Sequence, residues 1–149
     1  MYKRILVPVD GSEPSSHGLK EAVKIAKAAG GTIRVVHVVN EFQPVRGGLS
    51  YSPDLEIGLR AHGQKILTEA RTELEKNGVD GEAVLLDGAA LHTGDHIIEY
   101  AKRWPADLIV IGTHGRRGLK RLVLGSDAEY VVRTTPVPVL LVRGPAESK

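Results

Sequence analysis

The chain predicts an α/β fold, a parallel sheet with helices on both faces, and three observations carry that prediction. Short runs rich in Val, Ile and Leu alternate with longer segments whose apolar residues recur at helical spacing. The short runs are apolar at successive positions, as strands covered on both faces require. Turn-forming Gly, Pro, Asn and Asp punctuate the joins. Strand–helix alternation without internal repeat or linker implies parallel pairing through right-handed crossovers. At 149 residues, one domain over 1–149 is the expectation.

The elements follow in order. Residues 5–9 form the first strand, and Pro8 removes a ladder donor near its end. Asp10-Gly11-Ser12 is turn chemistry. Ser12 or Ser15 caps the next helix, with Pro14 in its first turn. Leu19, Ala22, Val23, Ala26 and Ala29 give that helix its apolar face, and Gly30-Gly31 ends it. Residues 32–39 are the second strand, with His37 read as a satisfied sheet histidine. Residues 40–53 read as a long loop, of a length often found in functional lids. A helix over 54–76 has Leu55, Leu59, Ile66, Leu67, Ala70 and Leu74 as its stripe, and Asn77-Gly78 closes it. A weaker third strand, 81–86, ends at Asp87-Gly88. A helix over 94–103 is broken by Trp104-Pro105. The fourth strand spans 108–111, a glycine loop follows, and a helix over 126–133 stops at Thr135-Pro136. Residues 137–142 are the fifth strand, with a polar tail from Gly144.

Bulk composition narrows the function. Net charge is +2, so the total implies no polyanionic partner, and aromatics at 4% are too scarce for a base-stacking module. No nucleic-acid partner is expected. The absence of Cys excludes disulfides, thiolate catalysis and Cys-ligated metal, and fits a cytoplasmic protein. No signal peptide is read at the N-terminus, and no apolar run approaches the roughly 18 residues of a membrane span.

The informative stretch runs from Ile111 to Ser126. An apolar strand ends in Gly112, Gly115 and Gly118 follow at three-residue steps, and Gly125-Ser126 opens a helix. The spacing is neither the G-x-G-x-x-G dinucleotide fingerprint nor a Walker loop, since no Gly-Lys-Ser/Thr occurs. It reads either as a flexible connection with helix-ending glycines or as a loop that brings bare backbone near a ligand, followed by a helix start whose dipole and free N–H groups favour an anion such as phosphate. Ser126 can donate to that phosphate or cap its own helix. Ligand sites in such sheets lie at the carboxyl ends of the strands, where strand order reverses. The first strand (Pro8, Asp10, Ser12) and the fourth (Gly112, Gly115) both carry functional residues at that end.

Several single residues admit two readings. Asp10 is an Asx turn or a ligand contact. As a phospho-receiver aspartate it lacks the acidic partner, and the Lys expected after the fifth strand is missing, although Asp87 fits that pattern. Arg116, Arg117, Lys120 and Arg121 form either a solvated face or an attraction for triphosphate. His114 lies where it can approach a phosphate. His92 and His96 are four apart, but Gly94 between them favours surface residues over a metal pair.

Gly112-x2-Gly115-x9-Gly125-Ser126 resembles the nucleotide-binding motif of the universal stress protein family. Ile5-Leu-Val-Pro-Val-Asp-Gly-Ser12 resembles that family's first strand and turn. The run from Ala106 to Gly115 resembles its fourth strand, and that from Pro136 to Arg143 its closing strand. The resemblance implies a five-stranded parallel sheet ordered 3-2-1-4-5, Rossmann-like and of the adenine nucleotide alpha hydrolase-like type. It implies ATP as ligand, with Mg²⁺. Carried over by position, Gly112, Gly115, Gly125 and Ser126 surround the phosphates and ribose. Pro8, Val9 and the backbone of Val38 border the adenine, and Asp10 lies near the ribose or a metal. Ser12 completes that wall, with His114 and Arg116 on the glycine loop. Two residues depart from the pattern: Asp127 stands where an apolar residue is common, and Tyr130 where a basic one is frequent.

Pro136 and Pro138 place the last strand at a sheet edge, yet Val137 to Val142 is apolar on both faces. A covering partner resolves the conflict. The family's habit of pairing this strand across a twofold axis implies an isologous homodimer. The expectation is an adenine-nucleotide-binding stress or signalling protein with little or no turnover. The alternatives are a dimeric interaction protein with a vestigial pocket, and a slow ATPase.

Overall fold

A computed structural model describes residues 1–40, 43–45, 48–50, 52–88, 92–113 and 124–144. The elements run β1 (Arg4–Pro8), α1 (Glu13–Ala29), β2 (Thr32–Val39), β3 (Gln43–Val45), β4 (Gly48–Ser50), α2 (Pro53–Lys76), β5 (Gly81–Asp87), α3 (Thr93–Arg103), β6 (Leu108–Thr113), α4 (Ser126–Thr134) and β7 (Val139–Arg143). The main sheet has five strands in the order β5-β2-β1-β6-β7, all pairs parallel. Counted along the sheet's own strands this is the expected 3-2-1-4-5. The segment expected to be a loop instead holds an antiparallel pair, with Gln43 opposite Ser50 and Val45 opposite Gly48.

Alternation of side chains along each strand builds two cores. Ile5, Val7, Ile33, Val35, Leu108 and Val110 face α1 and α2, meeting Leu19, Val23, Leu67 and Leu74. Leu6, Val36, Ile109 and Ile111 face α3 and α4, meeting Ile97, Ile98, Ala101 and Val131. Strands with apolar residues at every position are therefore covered twice, giving three layers.

Register explains where the sheet opens. β1 pairs with β2 over its whole length, from Arg4–Thr32 to Pro8–Val36, and the Val9 N–H still reaches the Val36 carbonyl at 2.9 Å. On the other side β1 pairs with β6 only at Ile5–Leu108 and Leu6–Ile109, while β6 runs on beside β7 as far as Thr113. The carboxyl ends of β1 and β6 thus lie unpaired with each other beyond Leu6 and Ile109. Far from this crevice, Asp107 accepts the backbone N–H groups of Lys3 and Arg4 at 2.9 and 3.0 Å and fixes the start of β1.

Candidate functional site

The turn after β1 is built by local hydrogen bonds. Asp10 Oδ1 accepts the Ser12 N–H at 2.9 Å, an Asx turn. Ser12 is the N-cap of α1, its Oγ accepting the Ser15 N–H at 3.3 Å. The buried Ser15 hydroxyl donates back to the Ser12 carbonyl at 3.0 Å. Burial pushes the Asp10 carboxyl up, but the hydrogen bonds from the Ser12 side chain and backbone, from Ser15 and from its own N–H outweigh it. The net result lies below the usual carboxylate value.

α1 lies unusually close to the end of β6. A Cβ on Gly112 would sit 1.7 Å from the Pro14 carbonyl oxygen, and one on Gly18 would sit 2.8 Å from the Gly112 nitrogen. Glycine at both positions lets backbone pack on backbone. α4 begins differently. Its N-cap Gly125 has φ −64° and ψ 158°, and α4 has no side-chain cap. A Cβ there would meet nothing within 4 Å. Nothing among the described residues requires glycine at 125, and among them the space beside it is open.

That space is a cavity of about 310 Å³ at the carboxyl ends of the strands. Pro8, Val9, Asp10 and Ser12 form one wall, Val38 and His37 the side toward β2, and Gly112, Gly125 and Ser126 the opposite wall. Every sequence-predicted site residue that is described lines it. His114, Gly115 and Arg116 lie outside the described residues, as do Arg117, Lys120 and Arg121. First turns of three helices border the cavity: Pro14 and Ser15 of α1, Thr93 of α3, and Ser126 and Asp127 of α4. Their dipoles direct partial positive charge inward, each favouring an anion by about 0.3–1 kcal/mol.

His37 is the satisfied sheet histidine that its strand position suggested. Its Nδ1 lies 2.8 Å from the Val9 carbonyl, which can only accept, so Nδ1 carries the proton. The same ring lines the cavity. Asp127 lines it from the first turn of α4. Partial burial raises its carboxyl pKa; the nearby His92 opposes that shift and the Asp10 carboxylate adds to it.

The reading from sequence missed the contribution of α3. Thr93 and Ile97 reach the cavity, although no motif marks them. The signal available was topological: helices in such sheets start at the carboxyl edge of the strands. His92 precedes α3 as its N-cap, and His96 is half-buried with Nε2 buried and unpaired. No group of three or more metal-ligating side chains occurs among the described residues. Nor is any described helix long and apolar enough to cross a membrane.

The comparisons agree with this geometry. The model of the universal stress protein family matches residues 1–143. A universal stress protein of Methanocaldococcus jannaschii is 35% identical over 149 residues, covering 97% of this chain and 84% of that one. The universal stress protein from Archaeoglobus fulgidus in complex with dAMP superposes with a TM-score of 0.67 at 26% identity, covering 95% of this chain and 98% of its own. A universal stress protein in complex with cAMP gives 0.67 at 27% identity, covering 97% and 98%. With the sheet order, the glycine spacing and this near-complete match in agreement, the chain belongs to the universal stress protein family.

Proposed function

We propose that this protein binds an adenine nucleotide in the cavity between β1 and β6. ATP enters as its Mg²⁺ complex, and the protein acts as a homodimeric, cytoplasmic stress-response or signalling module of one domain with little turnover. The observation that carries the reading is convergence. Pro8, Val9, Asp10, Ser12, Val38, Gly112 and Gly125-Ser126 are scattered along the chain yet line one cavity. Relatives of known structure hold dAMP and cAMP.

The residues fit such a ligand. A cavity of about 310 Å³ lies within the range of small-molecule sites, roughly 300–1,000 Å³. Pro8, Val9 and Val38 offer apolar surface to a base. Open space before Gly125 and the uncapped start of α4 offer N–H donors to a phosphate. Gly115, His114 and Arg116 belong to the phosphate end by sequence. Asp10 and Asp127 supply hard oxygen ligands for Mg²⁺, which is commonly held by one or two carboxylates plus substrate phosphates. When bound, the cation would neutralise phosphate charge. Slow turnover follows from a sequence without the Walker lysine that supports phosphoryl transfer.

Calorimetric titration with ATP and Mg²⁺, run beside Gly125→Val, tests the reading. The backbone angles of residue 125 suit a β-branched residue, and a Cβ there meets nothing within 4 Å among the described residues. Binding by the wild type and a loss of at least about tenfold in the variant, 1.4 kcal/mol, are expected. No binding by the wild type would favour a dimeric interaction protein with a vestigial pocket, the reading to which Asp127 lends support. Phosphate release above about 1 s⁻¹ would make it an enzyme.

A further inference from the structure

We propose that Arg71 guards a second assembly edge of this molecule: its guanidinium, laid on the free edge of β5, keeps that strand from pairing with β5 of a second copy. Removing the guard should open a self-association site there, distinct from β7.

The direction of the backbone groups carries it. At one end of the β2–β5 ladder the Ile33 N–H donates to the Asp80 carbonyl at 3.0 Å, and at the other the Gly88 N–H donates to the Val39 carbonyl at 2.7 Å. Alternate residues of a parallel strand bond to the same neighbour. The even-numbered residues from Asp80 to Gly88 therefore face β2, and Gly81, Ala83, Leu85 and Asp87 turn their backbone N–H and C=O groups away from it. β5 ends the sheet, so those groups point to its free edge. Arg71, exposed on α2, donates from Nη2 to the outward Ala83 carbonyl at 3.1 Å. Arg60, about three helical turns earlier, binds the Asp87 carboxylate. α2 thus reaches β5 with a guanidinium at two points, Arg71 on a backbone group and Arg60 on a side chain.

A second copy is the partner that this edge fits. Antiparallel pairing about a twofold axis through Val84 sets Ala83 opposite Leu85, Gly81 opposite Asp87 and Glu82 opposite Leu86. Every outward residue then meets an outward residue, and no carboxylate faces another, as stable cross-strand pairs require. A groove of about 300 Å³ beside Arg71, bordered by Leu74, Val79 and Ala83, leaves room for the approach. Residues opposed in this way exchange both N–H···O bonds. The Ala83 carbonyl is therefore the acceptor that the Leu85 N–H of the second copy needs, and Arg71 holds it. The twofold repeats the block on the other chain. A long charged side chain on a strand edge is a recognised means of preventing such pairing.

The full chain and Arg71→Ala are compared by light scattering and sedimentation at concentrations up to about 1 mM, where unpaired strand edges associate. Alanine is the best helix former and the site is exposed, so the variant keeps α2. At the highest concentration the variant should reach about twice the wild-type mass or more, whether the resting form is one chain or two. Arg71→Lys, which keeps a charged donor, should stay near the wild type. Amide hydrogen exchange locates the contact. The outward Ala83 and Leu85 N–H groups should exchange freely in the wild type and at least about tenfold more slowly in the associated variant. Equal masses for Arg71→Ala and the wild type overturn the proposal. A heavier variant whose Ala83 and Leu85 amides still exchange freely overturns it too, because the contact then lies elsewhere. So does association of Arg71→Lys equal to that of Arg71→Ala, since a charged donor would then be no guard. Should Arg71→Ala fail to fold, Arg71→Met keeps the apolar stem, removes the donor and is held to the same outcomes.

Discussion

Gly112 and Gly125 are joined by motif spacing, yet the fold treats them differently. A Cβ on Gly112 would overlap the backbone of Pro14 at 1.7 Å, and no rotamer relieves a clash with main chain. Gly112→Ala should therefore cost more than about 3 kcal/mol, at or beyond the upper end of overpacking effects. Urea unfolding measures it, and a loss under about 1 kcal/mol would show that the start of α1 yields freely. Gly125→Ala places its methyl in open space at ordinary backbone angles. It should shift stability by no more than about 0.5 kcal/mol, leaving its effect to ligand affinity. Asp10 adds a pH dependence. Its folded pKa lies below the ordinary 3.8, so on acidification the unfolded chain takes up the proton first. The stabilisation is present above the unfolded value and is lost as pH falls through the lower, folded one. Asp10→Asn keeps the acceptor for Ser12 and removes the charge. Its deficit, at most about 1 kcal/mol for so exposed a group, should be constant near neutrality and vanish in acid, below the ordinary value of 3.8. A deficit that persists in acid would assign the effect to packing.

At the scale of elements, α3 is held at both ends by contacts that its own sequence does not announce. Near its C-terminus, the Arg34 guanidinium lies 4.8 Å from the Trp104 ring centroid and forms an ion pair with Glu82 at 3.2 Å, linking β2 and β5 to the helix. Near its N-terminus, the Tyr130 hydroxyl donates to Asp95, and Gly94 makes room for the ring, since a Cβ there would lie 2.4 Å from Tyr130 Cδ1. Arg34→Met keeps the apolar stem and removes the charge. A loss of about 1 kcal/mol is expected, most of it from the cation–π contact because Glu82 is largely exposed. Thermal unfolding followed at Trp104 would report it as a melting temperature lower by about 2–4 °C. An unchanged melting temperature would mean that the ring packs as well against methionine. These contacts mark the limit of the sequence. Strands 5–9, 32–39 and 108–111 were legible because both faces are apolar, and α1 because Ser12 and Gly30 punctuate it. The pair β3 and β4 was not, since three-residue strands around Pro44 and Gly48 are too short to show a period. The crevice itself was inferred from glycine spacing, whereas the reason for Gly112, the approach of Pro14, lies nearly a hundred residues upstream and needed the fold.

At the scale of the whole molecule, β7 pairs, among the described residues, with β6 alone, so its other edge has no strand partner there. The exposed apolar groups nearby in sequence are Val132 on α4, at 41%, and Leu140 on β7, at 37%. An unpaired apolar edge invites pairing with another strand, and twofold pairing of β7 with its own copy satisfies it with a self-complementary surface. The proposed dimer should scatter light with twice the mass of the chain at micromolar concentration, and its melting temperature should rise with protein concentration. Leu140→Lys places a charge on that edge and should yield monomers whose melting temperature is independent of concentration. A wild type that is monomeric at micromolar concentration would refute the dimer. The dimer also bears on the cavity. Val142 of β7 is the register partner of Gly112, and the Thr113 hydroxyl donates to the Val142 carbonyl at 3.4 Å. One strand therefore separates the proposed interface from the wall of the proposed nucleotide site. Ordering β7 should order that wall, and by linkage a ligand that favours the ordered wall must favour the dimer equally. Saturating nucleotide should accordingly lower the dimer dissociation constant, by about 5-fold or more for a coupling of 1 kcal/mol. Sedimentation of the wild type with and without AMP reads the shift, and an unchanged constant would show that the edge and the cavity act independently.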